Sequence, residues 1–292
     1  MIKRRIWYTD AGVLRAPWRL FLFLLAAWIA MVASVAIVGP AVTLVFDAVG
    51  LRGMTTAYIV QAVGLIAATW FMVRVIDKRP WSYVWLGPEA LRARLLAIGF
   101  AIGCAAIAVP ILALIGVHWL REQPGNAGSW WGAAIRVSIF LFPAALLEEL
   151  LTRGYILSVL RDTWGWTAAI VATSVGFGLL HLWNPEGVSA ESIGLVTFAG
   201  IFLAGVVYAT RSLYAAWLAH FAWNWTMAVV FHTAVSGLPM EAPRYRYVDA
   251  GPDWATGGEW GPEGGLPAGL GMAAGIVYLF ARRKDEPRAA ES

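Results

Sequence analysis

Two adjacent carboxylates and one guanidinium interrupt an apolar stretch near the middle of the chain. Glu148, Glu149 and Arg153 lie in the segment FPAALLEELLTRGYIL, residues 142–157. One acidic residue at the centre of a bilayer costs roughly 2.5–3.5 kcal/mol, so two neighbouring ones predict a functional site if this segment spans a membrane. On a helix Glu149 and Arg153 stand at positions i and i+4 and can neutralise each other. Glu148 is then the carboxylate that remains available for chemistry.

Three further polar residues interrupt apolar segments later in the chain. His181 lies in SVGFGLLHLWN, and His220 and Asn224 lie four residues apart in AWLAHFAWNW. At 1.5 Å per helical residue, counted from the predicted cytoplasmic helix ends, Glu148, His181 and Asn224 lie roughly 18–21 Å deep and His220 about one turn shallower. The four side chains can therefore meet at similar depth.

These residue types suit the activation of a water molecule. A carboxylate in a low-dielectric pocket becomes basic enough to take a proton from water, and a neutral imidazole can orient that water or bind a metal. An amide such as that of Asn224 can stabilise a developing oxyanion without adding another charge to the membrane. The set predicts hydrolysis through a tetrahedral intermediate.

The composition indicates a membrane protein. Of the 292 residues, 60% are hydrophobic and 14% are charged, and the mean hydropathy is +0.66, values too apolar for a soluble domain. Seventeen tryptophans fit this class, because indole rings collect at the level of the lipid headgroups. The single cysteine, Cys104, excludes a disulfide framework and a cysteine metal cluster. The net charge of +4 gives no indication of nucleic-acid binding.

The predicted fold is all-α, a polytopic transmembrane bundle of about eight helices that forms a single domain over residues 1–292. Its motif core is 131–235, and the Gly- and Pro-rich loop 236–265 is interpreted as a solvated linker, with a lid or binding surface as the alternative. Apolar runs bounded by polar or Gly/Pro turns define the spans. They are 20–46, with a break at Gly39-Pro40, 54–73, 95–120, 131–160, 167–183, 192–210, 213–235 and 266–281.

The basic residues predict the orientation of these spans. Loops on one side carry sixteen Lys and Arg residues and loops on the other carry five, while Arg153 lies within the membrane. This bias places both termini in the cytoplasm, as a basic N-terminal segment 1–17 and a basic tail 282–292. No cleaved signal peptide is expected, because the first apolar run is long enough to span. We expect an integral protein of the bacterial inner (plasma) membrane.

Three motifs follow one another on successive apolar segments. They are E-E-x-x-x-R-G at 148–154, F-x-x-x-H at 177–181 and H-x-x-x-N at 220–224. In this order they resemble the CPBP family of intramembrane endopeptidases, which includes the type II CAAX prenyl proteases, bacteriocin-processing enzymes and abortive-infection proteins. The resemblance covers residues 148–224, whereas the flanking parts of the chain match only as generic membrane helices.

The resemblance implies hydrolysis of a peptide bond within or beside the membrane. The implied substrate is a membrane-associated peptide or protein, of the prenylated CAAX type or bacteriocin-like, reached from the lipid bilayer. Glu148 is implied as the general base, and His181 as the residue that positions the water or a metal. His220 and Asn224 are implied to complete the site or its oxyanion hole.

The resemblance also implies supporting residues and raises the question of a metal. Glu149 and Arg153 are implied to support the site. Members of the family are often described as metalloproteases, so zinc held by His181, His220 and Glu148 is one possible cofactor. The sequence contains no H-E-x-x-H, and a metal-free, glutamate-dependent mechanism is equally compatible.

Other functional classes remain open from the sequence. A non-catalytic membrane binding or immunity protein could keep this scaffold and use its polar cavity only to bind. A transporter also places carboxylates and histidines at mid-membrane, but it more often shows broken helices in two repeated halves, and we find no convincing repeat. A haem protein that uses His181 and His220 is a further alternative. The intact set of four site residues favours the enzyme.

Overall fold

The computed structural model describes residues 6–9, 12–48 and 53–285, with side chains as far as residue 282. The rest of the predicted basic N-terminal segment and most of the predicted basic tail lie outside the described residues. Within these ranges the chain forms a bundle of nine helices of ten residues or more, which confirms the predicted all-α membrane-type fold. The helices are α1 (Ala16–Ile37), α2 (Gly39–Ala48), α3 (Met54–Trp70), α4 (Ala93–Gly116), α5 (Trp130–Glu149), α6 (Leu157–Leu180), α7 (Ala190–Thr210), α8 (Leu213–Trp225) and α9 (Leu266–Asp285).

Four helical segments are long and apolar enough to cross a bilayer by length and composition. They are Ala16–Ile37, Met54–Ile76, Ala93–Gly116 and Ala190–Thr210. The first of them turns large apolar side chains outwards, and Trp28, for example, is 62% exposed. An outer surface of this kind is unfavourable in water and suits contact with lipid. The helices α5, α6 and α8 are interrupted by bends or by the polar residues of the site.

The predicted fourth span, 131–160, is not one continuous α-helix. After α5 the chain continues as the π-helical segment Leu150–Ile156, in which Gly154 leaves helical geometry at φ −79° and ψ −110°. A second bend lies within α6 at Gly165, whose φ of +77° is accessible to glycine at little cost. The sequence-based boundary missed the first bend because no proline or turn signal marks it. π-Helical segments inside helices occur frequently at functional sites.

Helix α8 is held close to α4 by two glycines. A Cβ atom added at Gly99 or Gly103 would lie 2.1 Å from the carbonyl oxygen of Ala215 or Ala219, respectively. Glycines four residues apart on one helix let two backbones approach closely, as is common in membrane bundles. The contact fixes the turn of α8 that immediately precedes His220.

The loop 236–265, which we call the cap, is folded against the bundle. Within it β2 (Tyr245–Asp249) pairs in antiparallel register with β1 (Leu120–Pro124). The indole of Trp260 is fully buried, and the backbone of Trp260 packs so closely on Gly187 that a Cβ there would lie 2.3 Å from its nitrogen. The interpretation of this loop as a solvated linker is therefore wrong, because these contacts anchor it.

A buried polar cluster joins α1 to the loop between α3 and α4. The Arg19 guanidinium pairs with Asp77 and donates hydrogen bonds to the hydroxyls of Tyr83 at 2.8 Å and Tyr155 at 3.2 Å. Tyr155 in turn donates to Asp77 at 2.8 Å, and Tyr83 donates to Asp162 at 3.0 Å. Burial raises the pKa of Tyr83 to about 12, so its phenol stays protonated and available as a donor.

Candidate active site

Glu149, the last residue of α5, is the structural carboxylate of the pair. Its side chain is fully buried, and its Oε1 accepts a hydrogen bond from Arg153 Nη1 at 3.0 Å. The same oxygen lies 3.0 Å from Nδ1 of His220 on α8. Glu149 therefore connects the π-helical segment to the histidine of the third motif, a link that the sequence motifs do not specify.

The Arg153 guanidinium binds three helices together. It is fully buried, and it donates to Thr152 Oγ1 at 2.7 Å and to the carbonyl oxygen of Gly200 on α7 at 3.2 Å. Its carbon Cζ stands 4.1 Å from the ring centroid of Phe177 on α6, where the aromatic face attracts a cation. The structure thus places Glu149 and Arg153 in contact with His220 and Phe177, and their supporting role stays a prediction.

Glu148 points in a different direction from its neighbour. Its side chain is 29% exposed, and its Oε2 lies 3.9 Å from Nε2 of His181 and 3.9 Å from Nε2 of His220. No described residue forms a hydrogen bond with this oxygen. A separation of 3.9 Å is too long for a direct hydrogen bond but suits a bridging water. The structure thus brings together three of the four predicted catalytic residues.

The two histidine rings present the same nitrogen to Glu148. Nδ1 of His181 lies 2.8 Å from the carbonyl oxygen of Phe177, and Nδ1 of His220 faces the Glu149 carboxylate. Both partners are acceptors, so in each neutral ring the proton sits on Nδ1. Each Nε2 therefore directs a lone pair toward the space beside Glu148.

Asn224 shares a small cavity with the two histidines. Asn224, His181 and His220 line this cavity of about 30 Å³, enough for one or two water molecules. Glu148 is not among the lining residues of this cavity. The predicted i, i+4 pairing of His220 and Asn224 on one helix face is consistent with this placement.

Glu263 lines the same cavity and was missed by the sequence analysis. This carboxylate is 8% exposed; its Oε2 accepts from Trp223 Nε1 at 2.8 Å and its Oε1 accepts from Ser236 Oγ at 2.6 Å. The backbone oxygen of Ser236 accepts in turn from Asn184 at 2.7 Å. Glu263 lies in WGPEGG, which has no helical or strand periodicity. The one sequence feature that could have indicated a folded segment here is the tryptophan at position 260.

The arrangement of donors does not fit a metal ion as it stands. Imidazole nitrogens and a carboxylate are suitable zinc ligands, but ligands of a tetrahedral zinc lie about 3.3 Å apart, closer than the 3.9 Å between Glu148 Oε2 and either Nε2. In the part of the chain that the structure describes, no group of three His, Cys, Asp or Glu side chains is arranged to hold a metal. The reaction proposed below therefore contains no step that involves zinc.

Residues 129–226 match the family model described as "Type II CAAX prenyl endopeptidase Rce1-like". The matched segment covers 98 of the 292 residues (226 − 129 + 1) and contains all three motifs. The predicted family resemblance is confirmed for this segment. No curated protein and no solved structure shows a significant match. The family supports an intramembrane endopeptidase in general and, with the four apolar helices, an integral membrane protein.

Proposed function

We propose that this Rce1-like protein hydrolyses a peptide bond with a water molecule activated by Glu148, His181 and His220. The proposal rests on one observation, the convergence of Glu148 Oε2 with the two Nε2 atoms at 3.9 Å each. A water molecule in that space can donate one hydrogen bond to the carboxylate and one to an imidazole.

The reaction then needs only groups that this chain supplies. Glu148 takes a proton from the water as its oxygen forms a bond to the substrate carbonyl carbon. The carbonyl oxygen becomes an oxyanion, for which the Asn224 amide is the proposed hydrogen-bond donor. Collapse of the tetrahedral intermediate breaks the C–N bond, and Glu148 returns its proton to the leaving amine. The products are a carboxylic acid, which carries the second proton of the water, and an amine.

Glu149 and Arg153 are proposed to position the site without contacting the substrate. The Glu149 carboxylate fixes both the tautomer and the orientation of His220 through Nδ1. Arg153 pairs with that carboxylate and neutralises its charge. The two residues therefore hold the His220 ring with Nε2 directed toward Glu148.

The proposed substrate is a membrane-associated peptide or protein. The description of the matching family favours a prenylated segment of the CAAX type, and a bacteriocin-like peptide is the second proposal. We further propose the bacterial inner membrane with both termini cytoplasmic, on the basis of the distribution of Lys and Arg. Reporter fusions at both ends test the orientation, which fails if the two reporters lie on opposite sides.

The test of the reaction is cleavage of prenylated and unprenylated fluorogenic peptides by the purified full-length protein in detergent. Wild type is compared with Glu148→Gln and with Glu259→Gln, a matched control whose carboxylate is exposed on the cap. We expect cleavage by wild type and by the control but not by Glu148→Gln. A zinc chelator is added to each reaction, and loss of wild-type cleavage would contradict the metal-free mechanism. If folded wild-type protein binds the peptides without cleaving any of them, the proposed peptidase activity is contradicted.

A further inference from the structure

Two adjoining cavities lie between α4 and α9, and neither shares a residue with the cavity beside the histidines. The first has a volume of about 290 Å³, and four arginines line it together with one carboxylate, that of Glu89. The second has a volume of about 690 Å³ and is mostly apolar. Arg94, Ile98 and Arg282 line both, so the two cavities form one continuous groove.

The apolar part of the groove is about as long as one leaflet of the bilayer core is thick. Its α4 wall runs from Ala97 to Val109. Twelve helical residues span about 18 Å, compared with about 15 Å for half of the hydrocarbon core. Ala101 and Ala105 on this wall are exposed, and Gly271 and Gly275 of α9 stand opposite. Gly271 brings α9 against the backbone of Ala106, where an added Cβ atom would lie 2.0 Å from the carbonyl oxygen, so the two helices touch there. Beside this contact the small side chains of Ala101 and Ala105 leave space in which an extended hydrocarbon chain fits.

Among the described residues that line the polar end of the groove, positive charge exceeds negative charge. Four guanidiniums and one carboxylate give these lining residues a formal charge of +3 (4 − 1). Arg282 is oriented by a hydrogen bond from its Nη1 to the Tyr278 hydroxyl at 2.9 Å. Planar guanidiniums recognise phosphate oxygens in a bidentate manner. The four lining arginines are Arg92, Arg94, Arg211 and Arg282.

We propose that this groove binds a phospholipid with an anionic headgroup. Its phosphate lies at Arg94 and Arg282, and one acyl chain lies along Ala101 and Ala105. A zwitterionic lipid would bring an ammonium group toward a site of charge +3, and a soluble phosphate would leave the apolar groove unfilled. Basic pockets between transmembrane helices are known to bind anionic headgroups. The opposite face of α4 packs on α8, so a bound lipid stabilises the helix pair that carries His220.

The test is native mass spectrometry of the purified full-length protein, which reports bound lipid without any cleavage reaction. Delipidated protein is titrated with phosphatidylglycerol, with phosphatidylcholine of the same acyl chains, and with glycerol phosphate. The variant R94Q/R282Q removes the headgroup contacts. Ala101→Leu/Ala105→Leu fills the groove. R74Q/R79Q is the matched control, because both arginines are exposed and lie outside both cavities.

We expect wild type and the control to bind phosphatidylglycerol in preference to phosphatidylcholine. The R94Q/R282Q protein should bind it about thirtyfold more weakly, since one arginine near an anionic lipid contributes about 1 kcal/mol. The groove-filled variant should also bind it more weakly. The proposal is overturned if wild type binds both lipids equally well, or if R94Q/R282Q and the control lose the same amount of binding. It is also overturned if glycerol phosphate binds as tightly as the lipid. Unchanged binding in the groove-filled variant would overturn the acyl-chain position.

Discussion

Two buried arginine–carboxylate pairs lie in the part of the bundle that the structure describes, and their surroundings differ. Arg19 and Asp77 are 7% and 6% exposed, and two tyrosine hydroxyls share their hydrogen bonds. Glu149 and Arg153 are both fully buried. Around the second pair, Glu149 Oε2 and Arg153 Nε have no hydrogen-bond partner among the described residues, and neither does Glu148 Oε2 next to it.

The difference separates a structural cluster from a site. An unpartnered buried polar atom costs about 1–3 kcal/mol, so folded proteins keep few of them. In the Arg19 cluster the tyrosines supply the missing partners. In the Glu149 cluster three such atoms lie within two turns of one another. One of them, Glu148 Oε2, faces the two imidazoles, and a bound water molecule would supply its missing partner.

The largest expected effect on folding is that of Arg153→Met. The substitution leaves Glu149 charged and buried without a cation, which costs about 3–5 kcal/mol of the free energy of unfolding. Thermal unfolding in detergent should show a much lower Tm and a lower yield of folded protein. Addition of Glu149→Gln to the same chain should restore part of the loss. If the Arg153→Met protein unfolds at the wild-type temperature, the pair does not have the structural role described here.

A smaller effect is expected for Arg19→Met. Tyr155 still donates to Asp77 in this variant, so the carboxylate keeps a partner and the loss should be roughly 1–3 kcal/mol. Cleavage per folded molecule should not change, because the cluster contacts neither Glu148 nor the histidines. Measurement of Tm and cleavage rate on the same preparation separates the two quantities. A loss of Tm equal to that of Arg153→Met would mean that the two clusters do not differ as described.

Glu263→Gln tests whether the hydrogen bonds of Glu263 hold the cap against the helix bundle. An amide keeps one acceptor oxygen, so only one of the hydrogen bonds from Trp223 and Ser236 survives, and the loss should be about 1–2 kcal/mol. Hydrogen exchange should become faster within residues 236–265 and remain unchanged in α1. The matched variant Glu259→Gln should exchange like wild type. Equally slow exchange of the cap in both variants would show that Glu263 does not hold it.

The smallest effect is expected at the exposed pair of Arg136 and Glu241. Their side chains are 45% and 48% exposed, and water and salt screen the interaction even though Nη2 and Oε2 are 2.5 Å apart. Arg136→Gln should lower the free energy of unfolding by less than about 1 kcal/mol. The difference in Tm from wild type should vanish at high salt. A persistent difference would indicate a role in the fold that exposure does not suggest.

The sequence was sufficient for the parts of the structure that depend on local pattern. Apolar runs gave the helical bundle, and the break at Gly39-Pro40 falls where α1 ends and α2 begins. Helix depth placed Glu148, His181 and Asn224 at one level and His220 about one turn shallower. In the structure Glu148 Oε2 lies 3.9 Å from Nε2 of each histidine. The i, i+4 spacing gave the Glu149 and Arg153 pair.

Other features depend on contacts between distant residues. The bond between Glu149 and His220 joins residues 71 positions apart, and that between Arg19 and Asp77 joins residues 58 apart. No local period encodes either one. The prediction of a solvated linker at 236–265 was wrong because glycines and prolines are typical of linkers. In this segment they instead allow close backbone contacts around Trp260. Glu263 was missed for the same reason.

The most direct measurement compares Glu148→Gln with Glu149→Gln, two neighbours of identical chemistry, for both cleavage and Tm. We expect Glu148→Gln to unfold at the wild-type temperature and to lose about 10²- to 10⁴-fold in kcat/KM, the usual contribution of a general base. We expect Glu149→Gln to unfold at a lower temperature. Glu148→Gln protein that cleaves within a few-fold of wild type would contradict the assignment of Glu148 as the base.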